Sequence, residues 1–374
     1  MIKYLGSKRL LASVLADMAE AVGARTALDL FTGTTRVAQA FKRRDIRVTA
    51  VDSATYAEVL AGCFIATDAT SVDKDELSRA LDQLNALPGR AGYFTETFCV
   101  ASRYFQPKNG ERVDAIRDAI EARYRDHPLY PVLLTSLMLA ADRVDSTTGL
   151  QMAYLKQWAP RSHNNLELRA PELLAGPGEV VRADAMTVVD DVPGVGIAYL
   201  DPPYNQHRYF TNYHVWETLV RWDAPEHYGV ACKRVDARDE TTKSPFNRKR
   251  EMPAAMQSVI MRTKADVVVV SYNDEAWVTP EQMTAWLRGA GHPQVAILGF
   301  DSKRYVGAQI GIHNPAGDRV GAVSHLRNTE YVFVAGPPEL VEKAVTSAVA
   351  VVALPLGVVG QEPFELGTQL VGRR

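Results

Sequence analysis

A strand, a tight turn, a helix and a second strand follow one another close to the N-terminus. Residues 25–31 form a short apolar run that ends in the turn Thr32-Gly33-Thr34-Thr35, after which residues 37–41 have helical spacing. A second apolar run, residues 48–51, stops at Asp52. Two strands joined through a helix are typical of a parallel sheet. We therefore predict a doubly wound α/β fold.

The pattern changes after this unit. Helical spacing dominates from about residue 71 to residue 169. Strand patterns resume at residues 179–181, 196–200, 266–271 and 294–299, and residues 330–334 are a late candidate edge strand. These patterns predict a discontinuous α/β core (residues 1–68 and 174–336), a mainly helical insertion (residues 69–173) and a C-terminal extension (residues 337–374).

Composition limits the possible functions. A net charge of -2 gives no overall basic signature, so any contact with nucleic acid must come from a local patch. The three cysteines lie far apart without CxxC spacing, which favours free thiols and argues against a zinc site. The apolar run 344–359 is interrupted by Pro355 and Gly357 and is shorter than the roughly 20 residues of a membrane-spanning helix. We expect a packed C-terminal element and, without a secretory signal, a cytoplasmic protein.

The tetrapeptide Asp201-Pro202-Pro203-Tyr204 follows the apolar strand, at an edge where open α/β sheets bind ligands. Successive prolines fix φ and remove two N–H donors, so the segment is a stiff set of acceptors. The Asp201 carboxylate and the Pro202 carbonyl suit the two N–H bonds of an exocyclic aromatic amine, and would aim its lone pair at a methyl donor. We expect Tyr204 to stack on a base flipped out of its helix. A stiff turn without chemistry is the alternative for this motif alone.

The turn after the first strand suits a cofactor without phosphate groups. It has the single glycine Gly33 instead of the GxGxxG pattern of pyrophosphate-binding turns, which favours S-adenosylmethionine. Asp52 lies 23 residues after Asp29, near the roughly 20-residue offset at which an acid meets ribose hydroxyls. Asp184 either binds the adenine amine of the cofactor or caps a helix.

Together with further stretches of the chain, these motifs resemble the DNA adenine methylase family of the restriction–modification type, over most of the chain. The matching stretches are residues 3–8, 29–38, 52, 140–149, 153–156, 201–204 and 243–247. The resemblance implies a Rossmann-like methyltransferase sheet, an inserted target-recognition domain and methylation of adenine N6 in DNA. It implies cofactor contacts at Tyr4, Gly6 and Lys8, besides those that we expect at Asp29, Phe31, Gly33, Thr34, Asp52 and Asp184.

A polar stretch between Lys233 and Arg250 holds seven Lys or Arg and three acids, which predicts a basic loop. This loop and the basic residues of the insertion are candidate DNA contacts, with a solvated face as the alternative. The residues that we favour are Lys243, Asn247, Arg248, Lys249, Arg143 and Lys156; Lys108, Arg112, Arg117 and Arg161 are further candidates in the insertion. We expect the aromatics Tyr209, Tyr213 and Trp216 to form core or pocket wall.

Other functions remain open at this point. The same acceptor pair fits cytosine N4, an adenine in RNA or the side-chain amide of glutamine, and the chain is alternatively a DNA-binding module that has lost catalysis. A nicotinamide oxidoreductase has no support beyond the fold class. The expected partners are double-stranded DNA and a cognate restriction endonuclease, without a metal or a membrane, in a prokaryotic or phage-infected cell.

Overall fold

The computed structural model describes residues 2–3, 8, 11–203, 208–273, 276–303, 327–349 and 354–359. Within them, an eight-stranded sheet crosses the molecule and a two-stranded hairpin lies apart from it. The strands of the sheet are β1 (Thr26–Asp29), β2 (Arg47–Asp52), β3 (Gly178–Arg182), β4 (Val195–Leu200), β7 (Ala265–Asn273), β8 (Gln294–Lys303), β9 (Arg327–Gly336) and β10 (Leu354–Val359); the hairpin is β5 (His227–Tyr228) and β6 (Lys233–Arg234).

The strands follow the order β3-β2-β1-β4-β7-β9-β8-β10. Neighbours from β3 to β7 are parallel, whereas β9 runs antiparallel to β7 and β8, and β10 antiparallel to β8. The chain order reverses between β1 and β4, and such a switch point opens a crevice at the carboxyl ends of the strands. The prediction of a doubly wound, Rossmann-like sheet is confirmed.

The prediction that residues 330–334 form an edge strand is wrong. β9 lies inside the sheet, paired over residues Glu330 to Ala335 with β7 on one side and over its whole length with β8 on the other. The apolar sequence of β9 does not show its place in the strand order. The later strand β10 takes the edge of the sheet instead.

Helices cover both faces of the sheet. They are α1 (Leu11–Ala21), α2 (Arg36–Lys42), α3 (Thr55–Ala61), α4 (Lys74–Asn85), α5 (Tyr93–Thr95), α6 (Pro107–Tyr124), α7 (Tyr130–Val144), α8 (Ala185–Val188), α9 (Tyr209–Asn212), α10 (His214–Arg221), α11 (Met252–Arg262), α12 (Pro280–Gly289) and α13 (Pro338–Val349). Short π-helical turns continue α3 at Gly62–Ala66 and α5 at Glu96–Ala101.

Successive residues of β4 explain why both faces must be covered. Ile197 and Tyr199 are buried in the core that α1, α2, α3 and the insertion share, while Ala198 and Leu200 are buried in the core under α8, α11 and α12. Because side chains alternate across a strand, a strand that is apolar throughout needs helices on each side. The continuous apolar run of β4 therefore positions its last residue, and Asp201 after it, between two closed layers.

The insertion is attached to the core by buried contacts. α7 packs against α3 and α6, and the Arg117 side chain on α6, 1% exposed, donates hydrogen bonds to the carbonyls of Leu219 (2.9 Å) and Val220 (3.0 Å) at the end of α10. A guanidinium buried in this way does not reach DNA, so the candidacy of Arg117 as a DNA contact was wrong. The aliphatic residues around Arg117 in α6 do not indicate that its side chain is buried.

Residues 233–250 are more structured than the predicted basic loop. They begin with β6 and continue through three short 3-10 turns, Val235–Arg238, Glu240–Thr242 and Pro245–Asn247. Arg234 is 1% exposed and donates to both carboxylate oxygens of Asp223 at 2.7 Å. It is therefore part of the fold, and the exposed part of the basic segment starts after it.

The described parts of the apolar C-terminal run, residues 344–349 and 354–359, pack as expected. α13 lies against α1, β8 and β9, and β10 pairs with β8. Among the described residues, no helix combines the length and the apolar character that crossing a bilayer requires. Cys63, Cys99 and Cys232 are buried free thiols, as predicted.

Candidate active site

A cavity of about 690 Å³ opens at the carboxyl ends of β1, β2 and β4, at the switch point of the sheet. Most of the residues predicted from sequence line it: Lys8, Asp29, Phe31, Gly33, Thr34, Asp52, Asp184, Asp201, Pro203, Lys243 and Asn247. Pro202 is buried beside it, while Arg248, Lys249, Arg143 and Lys156 lie outside its lining. Tyr4, Gly6 and Tyr204 lie outside the described residues.

The glycine turn is joined to the end of β2 by a carboxylate. Gly33 has φ +50° and Thr35 has φ +63°, so the backbone turns sharply between β1 and α2. The Gly33 amide donates to Asp52 Oδ2 at 2.9 Å, and the Ala54 amide donates to Oδ1 at 2.9 Å. Burial raises the pKa of Asp52, and these amide bonds oppose the rise. Both strand ends are thus held against the cavity.

Asp29 is a buried carboxylate with one oxygen engaged. Its Oδ2 accepts hydrogen bonds from Thr32 Oγ1 (2.9 Å) and from the Ala38 amide (3.2 Å). Its Oδ1 is buried and has no hydrogen-bond partner among the residues that the structure describes. Burial raises the pKa of Asp29 to about 7, and the nearby charge of Asp201 contributes to the rise. A buried acceptor of this kind calls for a donor supplied by a ligand.

Asp201 lies in a group of three charged side chains. Lys8 Nζ is 3.0 Å from Asp201 Oδ1 and also forms an ion pair with Glu330. Burial raises the pKa of Asp201 to about 6; Lys8 opposes this rise and Glu330 adds to it. Lys8 therefore contacts the tetrapeptide carboxylate; it also lines the cavity, so the contact with the cofactor that the resemblance implies stays a prediction.

Asp184 does cap a helix: its Oδ1 accepts a hydrogen bond from the Met186 amide at 2.7 Å at the start of α8. It also lines the cavity, so the second role that we weighed for it, toward the cofactor's adenine, stays a prediction. Phe31, which also lines the cavity, packs edge-on against Phe246 with ring centroids 5.1 Å apart. The two rings give the cavity an apolar wall.

The basic residues predicted to contact DNA differ in their surroundings. Lys243 and Arg248 form ion pairs with Glu240, and Arg248 also pairs with Glu251 at 2.9 Å. Lys249 is exposed. In the insertion, Arg143 and Lys156 are both exposed, and Arg143 donates to the Glu167 carbonyl at 2.6 Å. Ion pairs on a surface contribute little, so phosphates can replace these acids.

Sequence reasoning missed three further parts of the cavity wall. Arg208 and Phe210 follow the tetrapeptide by a few residues and line the cavity, and their proximity in sequence was the available signal. Of the three aromatics expected in core or wall, Tyr209 is wall, and Tyr213 and Trp216 are core. Glu217 on α10 accepts hydrogen bonds from the Thr55 and Tyr56 amides at the start of α3, for which no motif was present.

The cavity fits S-adenosylmethionine. Its volume lies within the roughly 300–1,000 Å³ of small-molecule sites. The buried Oδ1 of Asp29 matches an ammonium donor, and the carboxylates of Asp29, Asp52 and Asp201 suit a ligand with sulfonium and ammonium charges. Among the described residues, no group of three or more His, Cys, Asp or Glu side chains has the arrangement of a metal site.

Comparison with known proteins agrees with this geometry. Residues 4–286 match the family model of D12 class N6 adenine-specific DNA methyltransferases. The chain is 29% identical over 297 residues to the type II methyltransferase M.NlaIII of Neisseria lactamica, a match that covers 75% of this chain and 86% of that protein. It is 28% identical to the type II methyltransferase M.FokI of Planomicrobium okeanokoites and 28% identical to the modification methylase StsI of Streptococcus sanguinis.

These matches differ in extent. The M.FokI match covers 78% of this chain and 48% of that protein, and the StsI match covers 77% and 46%. The chain thus spans about half the length of these two relatives. The family model, in contrast, extends over the glycine turn, the insertion, Asp201 and α12. The chain therefore belongs to the D12 class of N6 adenine-specific DNA methyltransferases, enzymes that use S-adenosylmethionine to methylate the N6 amine of adenine in DNA.

Proposed function

We propose that this enzyme is the modification half of a restriction–modification system and that Asp201 and Pro202 hold the N6 amine of an adenine flipped out of the duplex. The observation that carries the proposal is the position of Asp201. It follows β4 at the switch point, in the same cavity as Gly33 and Asp52. A cofactor bound at the glycine turn and a base held at Asp201 would share one enclosed space.

The acceptor pair prepares the amine for attack. The lone pair of an exocyclic amine is delocalised into the ring, so it is a poor nucleophile until its N–H bonds are oriented. Lys8 engages Asp201 Oδ1, and we therefore assign Oδ2 and the Pro202 carbonyl as the two acceptors for the amine. Because Pro203 has no N–H and both prolines have a fixed φ, the carbonyl keeps its direction. We assign Tyr204 to stacking on the extruded base.

S-adenosylmethionine, when bound, supplies a methyl group on a positively charged sulfur. We assign the Gly33 turn, with Phe31 and Thr34, to the approach of its amino-acid part, together with the buried Oδ1 of Asp29. Asp52 is assigned to the ribose hydroxyls, because it ends β2 with its oxygens already oriented by two amides. Asp184 is assigned to the adenine amine. Tyr4 and Gly6 complete the predicted cofactor set.

DNA is proposed to lie across the mouth of the cavity. Lys243 and Asn247 line the cavity itself, and Arg248 and Lys249 follow them directly. We infer that this segment contacts phosphates beside the flipped base, while the insertion, residues 69–173, recognises the target sequence with Arg143 and Lys156 among its contacts. For the boundaries of the core, the insertion and the C-terminal extension we propose the ones that the sequence predicts.

A cognate endonuclease that cuts the unmodified sequence is the expected partner. The named relatives are type II methyltransferases and modification methylases, and this favours the same role here, in the cytoplasm of a bacterium or of a phage-infected cell. Adenine N6 is favoured over cytosine N4 or RNA because the family is adenine-specific.

The test is methyl transfer from labelled S-adenosylmethionine to duplex DNA of many sequences, followed by nucleoside analysis of the product. We expect N6-methyladenine at one short recognition sequence. The same sequence should be methylated in the genome of a host that expresses the enzyme. Label in cytosine, or label in DNA without any sequence preference, would contradict the proposal.

The role of Asp201 is tested in the same assay. Asp201→Ala should abolish methyl transfer and leave DNA affinity measurable, because its carboxylate touches the reacting amine and not the phosphates. Asp191→Ala, an exposed aspartate outside the cavity lining, is the matched control and should keep full activity. Equal rates for Asp201→Ala and the wild type would refute the assignment.

A further inference from the structure

We propose that Glu330 is a positioning residue for methyl transfer: through the ammonium of Lys8 it holds the Asp201 carboxylate in place and gives this group of three a net negative charge. The inference rests on the proposed role of Asp201. Neither the sequence motifs nor the match to the family model, which ends at residue 286, reaches Glu330.

The geometry is that of one ammonium between two carboxylates. Lys8 Nζ is 3.0 Å from Asp201 Oδ1 and forms its second ion pair with Glu330 Oε1. The side chains are 8%, 20% and 10% exposed for Lys8, Asp201 and Glu330, respectively. Charges on side chains as buried as these interact strongly, so the removal of one charge changes the electrostatic energy of its partners.

The sheet explains how a distant residue reaches the site. Glu330 lies near the beginning of β9 and is paired with Asn273, the last residue of β7. Because β9 is antiparallel to the central strands, its beginning lies at the edge where β4 ends and the tetrapeptide starts. A strand 130 residues later in the chain thereby brings a carboxylate to the site.

The net charge of the three side chains indicates the role of the Glu330 carboxylate. A lysine paired with Asp201 alone would cancel the negative charge that makes Asp201 a good acceptor. A second carboxylate shares the ammonium, so the three side chains together carry one negative charge. The amine nitrogen would take the methyl group as the methyl–sulfur bond breaks and leaves its electron pair on sulfur, and the nitrogen would be cationic until it passes a proton to water. A fixed negative charge beside it stabilises that state.

Other ionisable groups face Asp201, and they define the background. Asp29 approaches from β1 and the buried hydroxyl of Tyr199 from β4, besides Lys8 and Glu330. Burial is the main cause of the raised pKa of Asp201, and the Glu330 charge adds to it. Removal of that charge alone, with the other groups unchanged, therefore lowers the pKa of Asp201.

The experiment compares Glu330→Gln with the wild type in single-turnover methylation of a substrate duplex between pH 5 and pH 8.5, which isolates the chemical step. We expect the maximal rate to fall about 10-fold or more, the size of effect found when residues that orient metal ligands in other enzymes are replaced. KM for S-adenosylmethionine and for DNA should change less than about 3-fold. The acidic limb of the rate profile should move to lower pH.

Two further variants separate charge from structure. Glu339→Gln removes an exposed carboxylate from the start of α13, beyond the opposite end of β9, and should match the wild type. Glu330→Asp keeps the charge, so its acidic limb should stay at the wild-type pH and part of the rate should return. If thermal unfolding shows that Glu330→Gln does not fold, Glu330→Asp is the variant that tests the proposal.

Three results would overturn the proposal: an unchanged rate and limb in Glu330→Gln, equal losses in Glu330→Gln and Glu330→Asp, or a rate loss without a shift of the limb. The last would indicate packing alone. Asp201→Asn, measured alongside, distinguishes this failure from a failure of the proposed role of Asp201, because that role predicts an inactive variant whatever Glu330 does.

Discussion

The amide of Gly33 donates a hydrogen bond of 2.9 Å to the carboxylate of Asp52, and this bond joins the turn after β1 to the end of β2. The two residues are 19 positions apart in the chain. Since Gly33 has φ +50°, its amide points where few other residues would place it without strain. A cofactor that binds the turn and the acid together therefore finds both already in position.

We expect Gly33→Ala to weaken cofactor binding as well as the fold. An alanine in the left-handed region costs about 1–2 kcal/mol of unfolding free energy, and the strain falls on the cavity wall. Gly23→Ala is the matched control, because Gly23 also has a positive φ, +72°, and has open space around its Cβ position. Gly23 lies at the amino ends of the parallel strands, away from the cavity.

Calorimetric titration with S-adenosylmethionine, with chemical unfolding of each variant, checks this pair. Both variants should lose similar stability, and only Gly33→Ala should lose cofactor affinity, by about 10-fold, which corresponds to about 1.4 kcal/mol. Equal affinities in the two variants would mean that the turn does not approach the cofactor.

Asp29 should make the stability of the apoenzyme depend on pH. Its pKa is raised to about 7 by burial, whereas an unfolded chain titrates near the ordinary value of 3.8. The folded state therefore holds the proton more tightly, and the contribution of Asp29 to the unfolding free energy declines as pH rises from about 4 to about 7, then levels off. Above pH 7 the buried charge weighs against folding.

Urea unfolding between pH 4 and pH 8 measures this slope. Asp29→Asn should make the decline smaller and leave the part that the raised pKa values of Asp201 and Asp52 cause, while Asp45→Asn, an exposed aspartate outside the cavity, should keep the full wild-type decline. Saturation with S-adenosylmethionine should also flatten the wild-type profile, because a donor to Oδ1 favours the ionised carboxylate. Parallel profiles for Asp29→Asn and the wild type would contradict the assignment.

The parts of the site that follow strand ends were predictable. Gly33, Asp52 and Asp201 each come directly after an apolar run, and the carboxyl ends of parallel strands meet at one edge, so their proximity follows from local patterns. Glu330 was not predictable in this way. Its place depends on β9 entering the interior of the sheet in the reverse direction, which is a property of the complete strand order.

Basic residues show the same limit. Arg117 and Lys249 look alike in sequence, yet one is 1% exposed and bonded to backbone carbonyls, and the other is exposed. Local sequence does not separate them, because a guanidinium turns inward only when another element offers acceptors. In the case of Arg117 these acceptors come from α10, about 100 residues later in the chain.

Arg234 should matter for stability and little for DNA. It is buried and donates to both oxygens of Asp223 at 2.7 Å and to Asp236. Arg234→Ala removes the buried partner of these carboxylates and leaves them paired with the more exposed Arg221 alone, and we expect a loss of about 3 kcal/mol in unfolding free energy. Arg250→Ala, at an exposed position of the same segment, should change stability by less than about 0.5 kcal/mol. Chemical unfolding of the two variants decides between a structural and a surface role.

Lys249 tests whether this segment contacts phosphates. Each phosphate contact releases a counterion, so Lys249→Ala should weaken DNA binding about equally on all sequences and reduce the slope of log affinity against log salt by about 1. Lys264→Ala removes the same charge from an exposed position at the opposite edge of the sheet. Because a change in net charge alone would affect both variants alike, a slope that falls only in Lys249→Ala places DNA at the mouth of the cavity. Fluorescence anisotropy with a labelled duplex between 50 and 200 mM salt measures both slopes, and equal slopes in the two variants would move the DNA to another face of the protein.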